Sequence, residues 1–218
     1  MASNVSNRKG GQPVLELDGI TITWLGHDSM KIKGEKVIYI DPWKLKDKEP
    51  ADIVLITHEH YDHCSPSDVA KVSKKMTAIV TTADTAKKLK GDVMVVKPGD
   101  TVEVDGVTVE VTPAYNTNKS FHPKGSGWIG FIINMGGKRI YHAGDTDRIP
   151  EMDDLKVDVA LVPVSGTYVM TAEEAAEAVN RMKPKIAVPM HYGDIVGTEA
   201  DAERFKKLVS DDIEVRIL

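Results

Sequence analysis

Ile53-Val54-Leu55-Ile56-Thr57-His58-Glu59-His60-Tyr61-Asp62-His63 is the stretch from which the rest of this chain is read. Its first four residues are apolar and mostly β-branched, the composition of a short buried strand that ends near Thr57. His58 and His60 stand two apart. On a helix that spacing sends the rings to nearly opposite sides, whereas an extended strand end or loop turns them to one face. Past His63 the chain reads Ser65-Pro66-Ser67-Asp68, which has the form of a helix start: Ser65 as N-cap, Pro66 first, Asp68 third. One strand-to-helix corner can therefore offer two imidazoles to one metal ion, and a carboxylate plus an imidazole to a second. A lone histidine is usually a solvated or hydrogen-bonded side chain. Three of the chain's seven histidines and an aspartate within six residues read instead as a metal site. The zinc-protease helix pattern does not apply, because the position four after His58 is Asp62.

Outward from this corner, 218 residues suffice for one large domain. There is no Pro/Ser-rich linker and no repeat, so residues 13–218 are read as a single domain preceded by a loose polar tail over 1–12. Strands are expected over 14–17, 20–25, 30–33 and 36–40, with a helix over about 66–76, a strand over 78–80 and a second helix over about 83–89. A β-meander is expected through 101–142. The last third alternates strand and helix, with Thr171-Ala172-Glu173-Glu174 as a capping box. Two strand-rich halves with interspersed helices give an α/β class built of two facing sheets under outer helices.

Composition excludes several classes. The formal charge of −5 comes from interspersed acids and bases, with no basic stripe for nucleic acid. No run is apolar enough to span a bilayer, and the N-terminus has no hydrophobic leader. The single Cys64 cannot form an internal disulfide and suits a reducing compartment. The expectation is a soluble cytoplasmic protein with a small-molecule substrate and neither nucleic-acid nor membrane partners; a homo-oligomer is compatible with the sequence.

Three later residues have the same strand-end placement. His122 lies in Asn118-Lys119-Ser120-Phe121-His122-Pro123, Asp145 in Tyr141-His142-Ala143-Gly144-Asp145-Thr146, and His191 in Pro189-Met190-His191-Tyr192-Gly193. Loops leaving one sheet edge are where sites are commonly built.

With these residues in view, the chain resembles the metallo-β-lactamase superfamily over nearly its whole length. The marks are the His-x-His-x-Asp-His run at 58–63, Gly144-Asp145-Thr146 and His191 after the penultimate strand. Trp24-Leu25-Gly26-His27-Asp28-Ser29, Ile40-Asp41-Pro42 and Met190-His191-Tyr192 give it a further likeness to the branch of ascorbate-6-phosphate lactonase and related hydrolases. The resemblance implies a four-layer αββα sandwich and two divalent ions, zinc first, with manganese, iron or nickel compatible with the same ligands. It implies that His58, His60 and His122 bind one ion, that Asp62, His63 and His191 bind the other, and that Asp145 bridges them. Some relatives carry the third histidine of the first site directly after a strand, where this chain has Tyr115-Asn116. His122 is assigned by spacing, and Asn116 stays open as the other candidate.

The implied activity is hydrolysis of a small anionic ester, lactone or phosphodiester by a metal-bridging hydroxide, of lactonase or phosphodiesterase type. Asp62 is expected to orient the nucleophile, with His27 and Tyr192 as candidate proton donors; His27 is also read as touching either substrate or a metal ligand from behind. Asp41 could orient a ligand histidine from behind, and Lys124, in a glycine-containing basic loop, could hold an anionic group. His142 and Cys64 are read as core residues. The competing reading is a module on the same fold that binds metal or a partner without turnover.

Overall fold

In the computed structural model, which describes residues 13–46 and 48–218, the run that opens the histidine motif is a strand, β5 (Ala51–Leu55). Its side chains divide between two cores. Ile53 and Leu55 join the large cluster, whereas Val54 and Ile56 join a smaller one with Tyr39, Val69, Val72 and Ile79. A strand buried on both faces has no polar side to present, so residues 53–56 read as an unbroken apolar run rather than an alternating one. The tail expected over residues 1–12 lies outside the described residues.

β5 belongs to a seven-stranded sheet whose spatial order follows the chain: β1 (Val14–Leu17), β2 (Ile20–Gly26), β3 (Ser29–Lys33), β4 (Val37–Ile40), β5, β6 (Ser73–Thr81) and β7 (Asp92–Val95). β1 to β4 pair antiparallel and β4 to β7 parallel. The second sheet repeats the division. β8 (Thr101–Val104), β9 (Val107–Pro113), β10 (Ile129–Met135) and β11 (Lys138–His142) run antiparallel. β12 (Val159–Pro163), β13 (Ile186–Met190) and β14 (Glu214–Val215) follow parallel to β11.

Parallel neighbours need crossovers. α1 (Pro66–Val72) and α2 (Ala83–Ala86) supply two for the first sheet, α3 (Ala172–Met182) and α4 (Glu199–Leu208) two for the second. Apolar positions of α3, among them Ala175, Val179 and Met182, pack into the large core with Phe205 of α4. Helices outside and two sheets inside make the four-layer αββα sandwich that the sequence implied.

Both helix starts behave as read. The Ser65 hydroxyl accepts from the Asp68 N–H at 3.3 Å, and Thr171 and Glu174 close their capping box at 3.2 and 2.8 Å. The helix ends do not. α1 stops at Val72 instead of near residue 76, because Ser73 turns extended, donates its hydroxyl to the Val69 carbonyl at 2.7 Å and starts a strand that pairs with β5. The strand expected over 78–80 is the end of that nine-residue β6. α2 stops at Ala86 instead of near 89, since Lys87, Lys88 and Leu89 make only tight three-residue turns that lead the chain toward β7.

Parallel strands bring their carboxyl ends to one edge of each sheet. The loops that leave β5, β11, β12 and β13 meet there, joined by the β2–β3 hairpin and the β9–β10 connection. None of the described helices is long and apolar enough to cross a membrane.

Candidate metal centre

At this edge the histidines and acids separated by up to 164 positions in the chain converge around one carboxylate, Asp145. Its Oδ2 lies 3.1 Å from Nε2 of His122 and 3.3 Å from Nε2 of His191, and its Oδ1 lies 3.4 Å from Nε2 of His63. On one side, His58, His60 and His122 present nitrogens all within 4.8 Å of one another. On the other, His27, His63 and His191 do the same within 4.8 Å, and Asp62 Oδ2 stands 3.8 Å from Nε2 of His63. Asp145 thus sits between two groups of donors.

The imidazoles are aimed from behind. His63 Nδ1–H donates to Asp41 Oδ2 at 2.8 Å, and His122 Nδ1–H to the Tyr168 carbonyl at 3.1 Å. His191 Nδ1 pairs with the Ser165 hydroxyl at 2.9 Å, and His58 Nδ1 with that of Thr57 at 2.9 Å. Trp128 floors the first group, its ring centroid 4.8 Å from His58 and 4.7 Å from His60, its indole N–H tied to Asp84 at 2.8 Å. Three non-glycine residues here hold left-handed backbone, His27 (φ 51°), Asp41 (φ 44°) and His191 (φ 60°). Such conformations cost energy and persist where surrounding bonds enforce them; one is the His191 N–H donating to the His27 carbonyl at 3.0 Å.

The charges are strongly perturbed. Burial, then the neighbouring His63, pushes His58 well below the ordinary imidazole range, and burial followed by His122 lowers His60. For His63 burial also opposes the charged form, but the Asp145 and Asp41 carboxylates win and raise it well above its usual value. Burial would raise Asp145 too; His191 and His63 overcome it and hold the carboxyl well below the carboxylate range. Asp28 goes the other way. It is fully buried, neither carboxylate oxygen has a hydrogen-bond partner, and burial followed by Asp145 raises it well above the usual range.

These residues fit divalent metal. Nε2 of His63, His122 and His191 and Oδ1 of Asp145 are buried with no hydrogen-bond partner, which leaves costly orphans unless a cation takes their lone pairs. Mixed imidazole and carboxylate donors, with His58, His63, His122 and His191 each held through the ring's other nitrogen, are characteristic of a transition-metal site.

The sequence over residues 21–191 matches the family described as beta-lactamase superfamily domain. The chain belongs to the metallo-β-lactamase superfamily. Within it, a UPF0173 metal-dependent hydrolase from Pyrococcus abyssi is 37% identical over 216 residues, covering 91% of this chain and 96% of the relative. Among solved structures, a protein from Parabacteroides distasonis described as a metal-dependent hydrolase is 36% identical with a TM-score of 0.81, covering 99% of this chain and 97% of its own. Igni18, a metallo hydrolase from Ignicoccus hospitalis, is 27% identical with a TM-score of 0.76, covering 91% and 94%.

In this metallo-β-lactamase fold member, the structure brings together His58, His60, Asp62, His63, His122, Asp145 and His191. Asn116 is turned away from the cluster. Its amide donates to Asp147 Oδ1 at 3.1 Å and the Tyr168 carbonyl at 2.8 Å, and its oxygen accepts the His122 N–H at 2.9 Å. His142 and Cys64 are buried, as read. His27 is buried, and its Nε2–H donates to Asp62 Oδ2 at 3.1 Å, so of the two contacts read for it the structure shows the one to a candidate ligand.

Two expectations need correction. Tyr192 does not face the cleft at Asp145: its ring lies tilted against Trp24, centroids 4.7 Å apart, and lines a separate cavity beside Asp194 and Glu199, because the left-handed turn at His191 swings the next residue away. Lys124 does not reach the cleft either. Its ammonium lies 3.2 Å from Glu151, 3.1 Å from the Tyr115 hydroxyl and over the Tyr115 ring, so its charge is already engaged.

The cleft itself has a volume of about 290 Å³, with His60, Asp62, His122 and Asp145 in its wall. Tyr61, Phe121, Tyr168 and Ile195 complete the lining. The sequence reading passed over these last four, and over Ser165, Thr57 and Asp28. Ser165 and Tyr168 follow the end of β12, so the strand-end rule that found His191 would have found them as well.

Proposed function

We propose that this chain is a metal-dependent hydrolase with a binuclear centre, acting on a small ester, lactone or phosphodiester. The observation that carries this reading is the set of three buried, partnerless imidazole Nε2 atoms around the Asp145 carboxylate. His58, His60 and His122 would hold one ion, Asp62, His63 and His191 the other, with Asp145 between them. The hydrolase names of relatives above 30% identity that align along nearly the whole chain support the reaction class.

When bound, divalent metal supplies Lewis acidity for the substrate oxygen and for the attacking water. The protein's own residues do the remaining work. Asp62 lines the cleft, where its carboxylate would orient a water. Burial opposes its charge, but the bond from His27 and the nearby His63 keep its carboxyl below the usual range, so it stays an acceptor at neutral pH. Asp41 and Thr57 fix the rings of His63 and His58. Tyr61 and Tyr168 are the phenols in the cleft lining and replace Tyr192 as candidates to hold or protonate a leaving oxygen.

The test is metal analysis of the purified protein, followed by assay of lactones, aryl esters and phosphodiesters with and without chelator. Two ions per chain and chelator-sensitive turnover that disappears in His58→Ala and Asp145→Ala are expected. Full activity in either variant overturns the assignment.

A further inference from the structure

The lining of the cleft has a chemical character of its own. Apart from the metal-facing groups it is aromatic and aliphatic: Tyr61, Phe121, Tyr168 and Ile195. Tyr61 is 68% exposed and Phe121 49% exposed, so two large rings are left to water beside the buried histidines. Scattered exposed apolar residues mean little, but apolar rings gathered beside a polar site mark a binding surface.

One pair of rings is also held in place. Phe121 packs edge-on against Tyr168 with centroids 4.7 Å apart. The same bonds that aim His122 hold this pair: the Tyr168 carbonyl accepts from His122 Nδ1, and the Asn116 side chain takes the His122 N–H at 2.9 Å while donating to that carbonyl at 2.8 Å. A ring whose loop is already ordered loses little freedom on binding, so its contact is kept as affinity.

Among the described residues, no lysine or arginine is in the lining. The nearby ammonium groups are paired elsewhere, Lys119 with Asp147 at 2.6 Å, Lys124 with Glu151 at 3.2 Å and Lys88 with Glu59 at 2.9 Å. Among the described residues, the charged groups facing the cleft are the carboxylates Asp62 and Asp145. An anionic substituent away from the reacting centre would meet no cationic side chain there, while an uncharged flat group would meet rings.

We propose that this cleft selects uncharged carboxylic esters or lactones bearing a flat apolar group, with Phe121 and Tyr168 as the main specificity-determining contacts and Tyr61 and Ile195 completing the apolar lining. The proposal rests on the hydrolytic reading above and narrows its substrate class. In the reaction, the oxygen of water bonds to the acyl carbon, the acyl C–O bond breaks, and the leaving oxygen takes a proton, giving acid and alcohol.

The test uses the metal-loaded protein with matched esters: phenyl butyrate, methyl butyrate and the phenyl monoester of succinic acid, which keeps the phenyl group and adds a negative charge. Diphenyl phosphate is the phosphodiester arm. The neutral phenyl ester is expected to exceed the succinate monoester in kcat/KM by about tenfold, and Phe121→Ala to lower the phenyl-to-methyl selectivity by about tenfold, mainly through KM. Binding of acetanilide, followed by ligand-observed NMR, is expected to weaken in Phe121→Ala. Preference for the succinate monoester or for diphenyl phosphate, or equal losses on both butyrates, overturns the proposal while leaving a hydrolase. If nothing is turned over, the hydrolytic reading fails, and acetanilide binding that ignores Phe121 removes this proposal with it.

Discussion

Asp41 accepts the Nδ1–H of His63 at 2.8 Å, and the same carboxylate takes the Thr57 N–H at 2.8 Å and the Thr57 hydroxyl at 2.6 Å. One buried side chain at the end of β4 therefore fixes both the exit of β5 and the ring that faces Asp145. Asp41→Asn keeps the shape but offers one acceptor oxygen for three donors. The expected result is metal affinity weakened by about 10–100-fold with the fold retained, read from competition against a chromophoric chelator and from circular dichroism. An unaltered dissociation constant would mean that Asp41 merely ends a strand.

Much of this arrangement was legible beforehand, and the reasons differ by residue. His58, His60, Asp62 and His63 are local: their spacing and the Ser65-Pro66 helix start set their directions within one turn of chain. The αββα layering follows from runs such as 53–56 that must be buried on both faces. What could not be read depends on distant partners. Lys124 looks like an anion holder until Glu151, 27 positions away, takes its charge. The expected end of α1 gave way because pairing with β5 outweighs helical preference at Ser73. Tyr168 and Ile195 reach the cleft through loop paths that carry no periodic signal.

Asp28 is placed unfavourably for an acid. Its carboxylate is 0% exposed, has no hydrogen-bond donor on either oxygen, and lies 3.8 Å from His63 Nδ1 beside the Asp145 carboxylate. An unpaired buried acid is costly, and nearby metal charge offsets that cost. Asp28→Asn is expected to raise the Tm of the metal-free protein and to shrink the gain in Tm on adding zinc. Thermal melts of both proteins with and without chelator decide it; a metal-free variant that melts earlier than its parent would show that Asp28 has a donor it needs.

Gly144 determines where Asp145 stands. Its φ is +64°, and a Cβ there would come within 2.8 Å of the Ile129 carbonyl and 3.1 Å of the Thr57 methyl. Gly144→Ala therefore meets both an unfavourable backbone conformation and a clash with main chain that cannot yield. A loss of about 1–3 kcal/mol is expected in chemical denaturation, together with weaker metal binding because the next residue moves. Stability equal to the parent would contradict this account of the turn.

His122 and Asn116, the two candidates for one ligand position, are separated by what their side chains touch. His122 Nε2 is buried, partnerless and 3.1 Å from Asp145, whereas every polar atom of the Asn116 amide is engaged in holding the loop. Removing a ligand and loosening a support leave different signatures. His122→Ala is expected to lower the metal content from two ions toward one per chain, because the first group keeps only His58, His60 and the shared carboxylate. Asn116→Ala should still take up both ions, but more weakly, since the orientation of His122 and its Tyr168 partner is no longer enforced. Elemental analysis after dialysis reads the stoichiometry, and titration against a chelator reads the affinity. If Asn116→Ala loses an ion while His122→Ala keeps both, the assignment of the ligand is reversed.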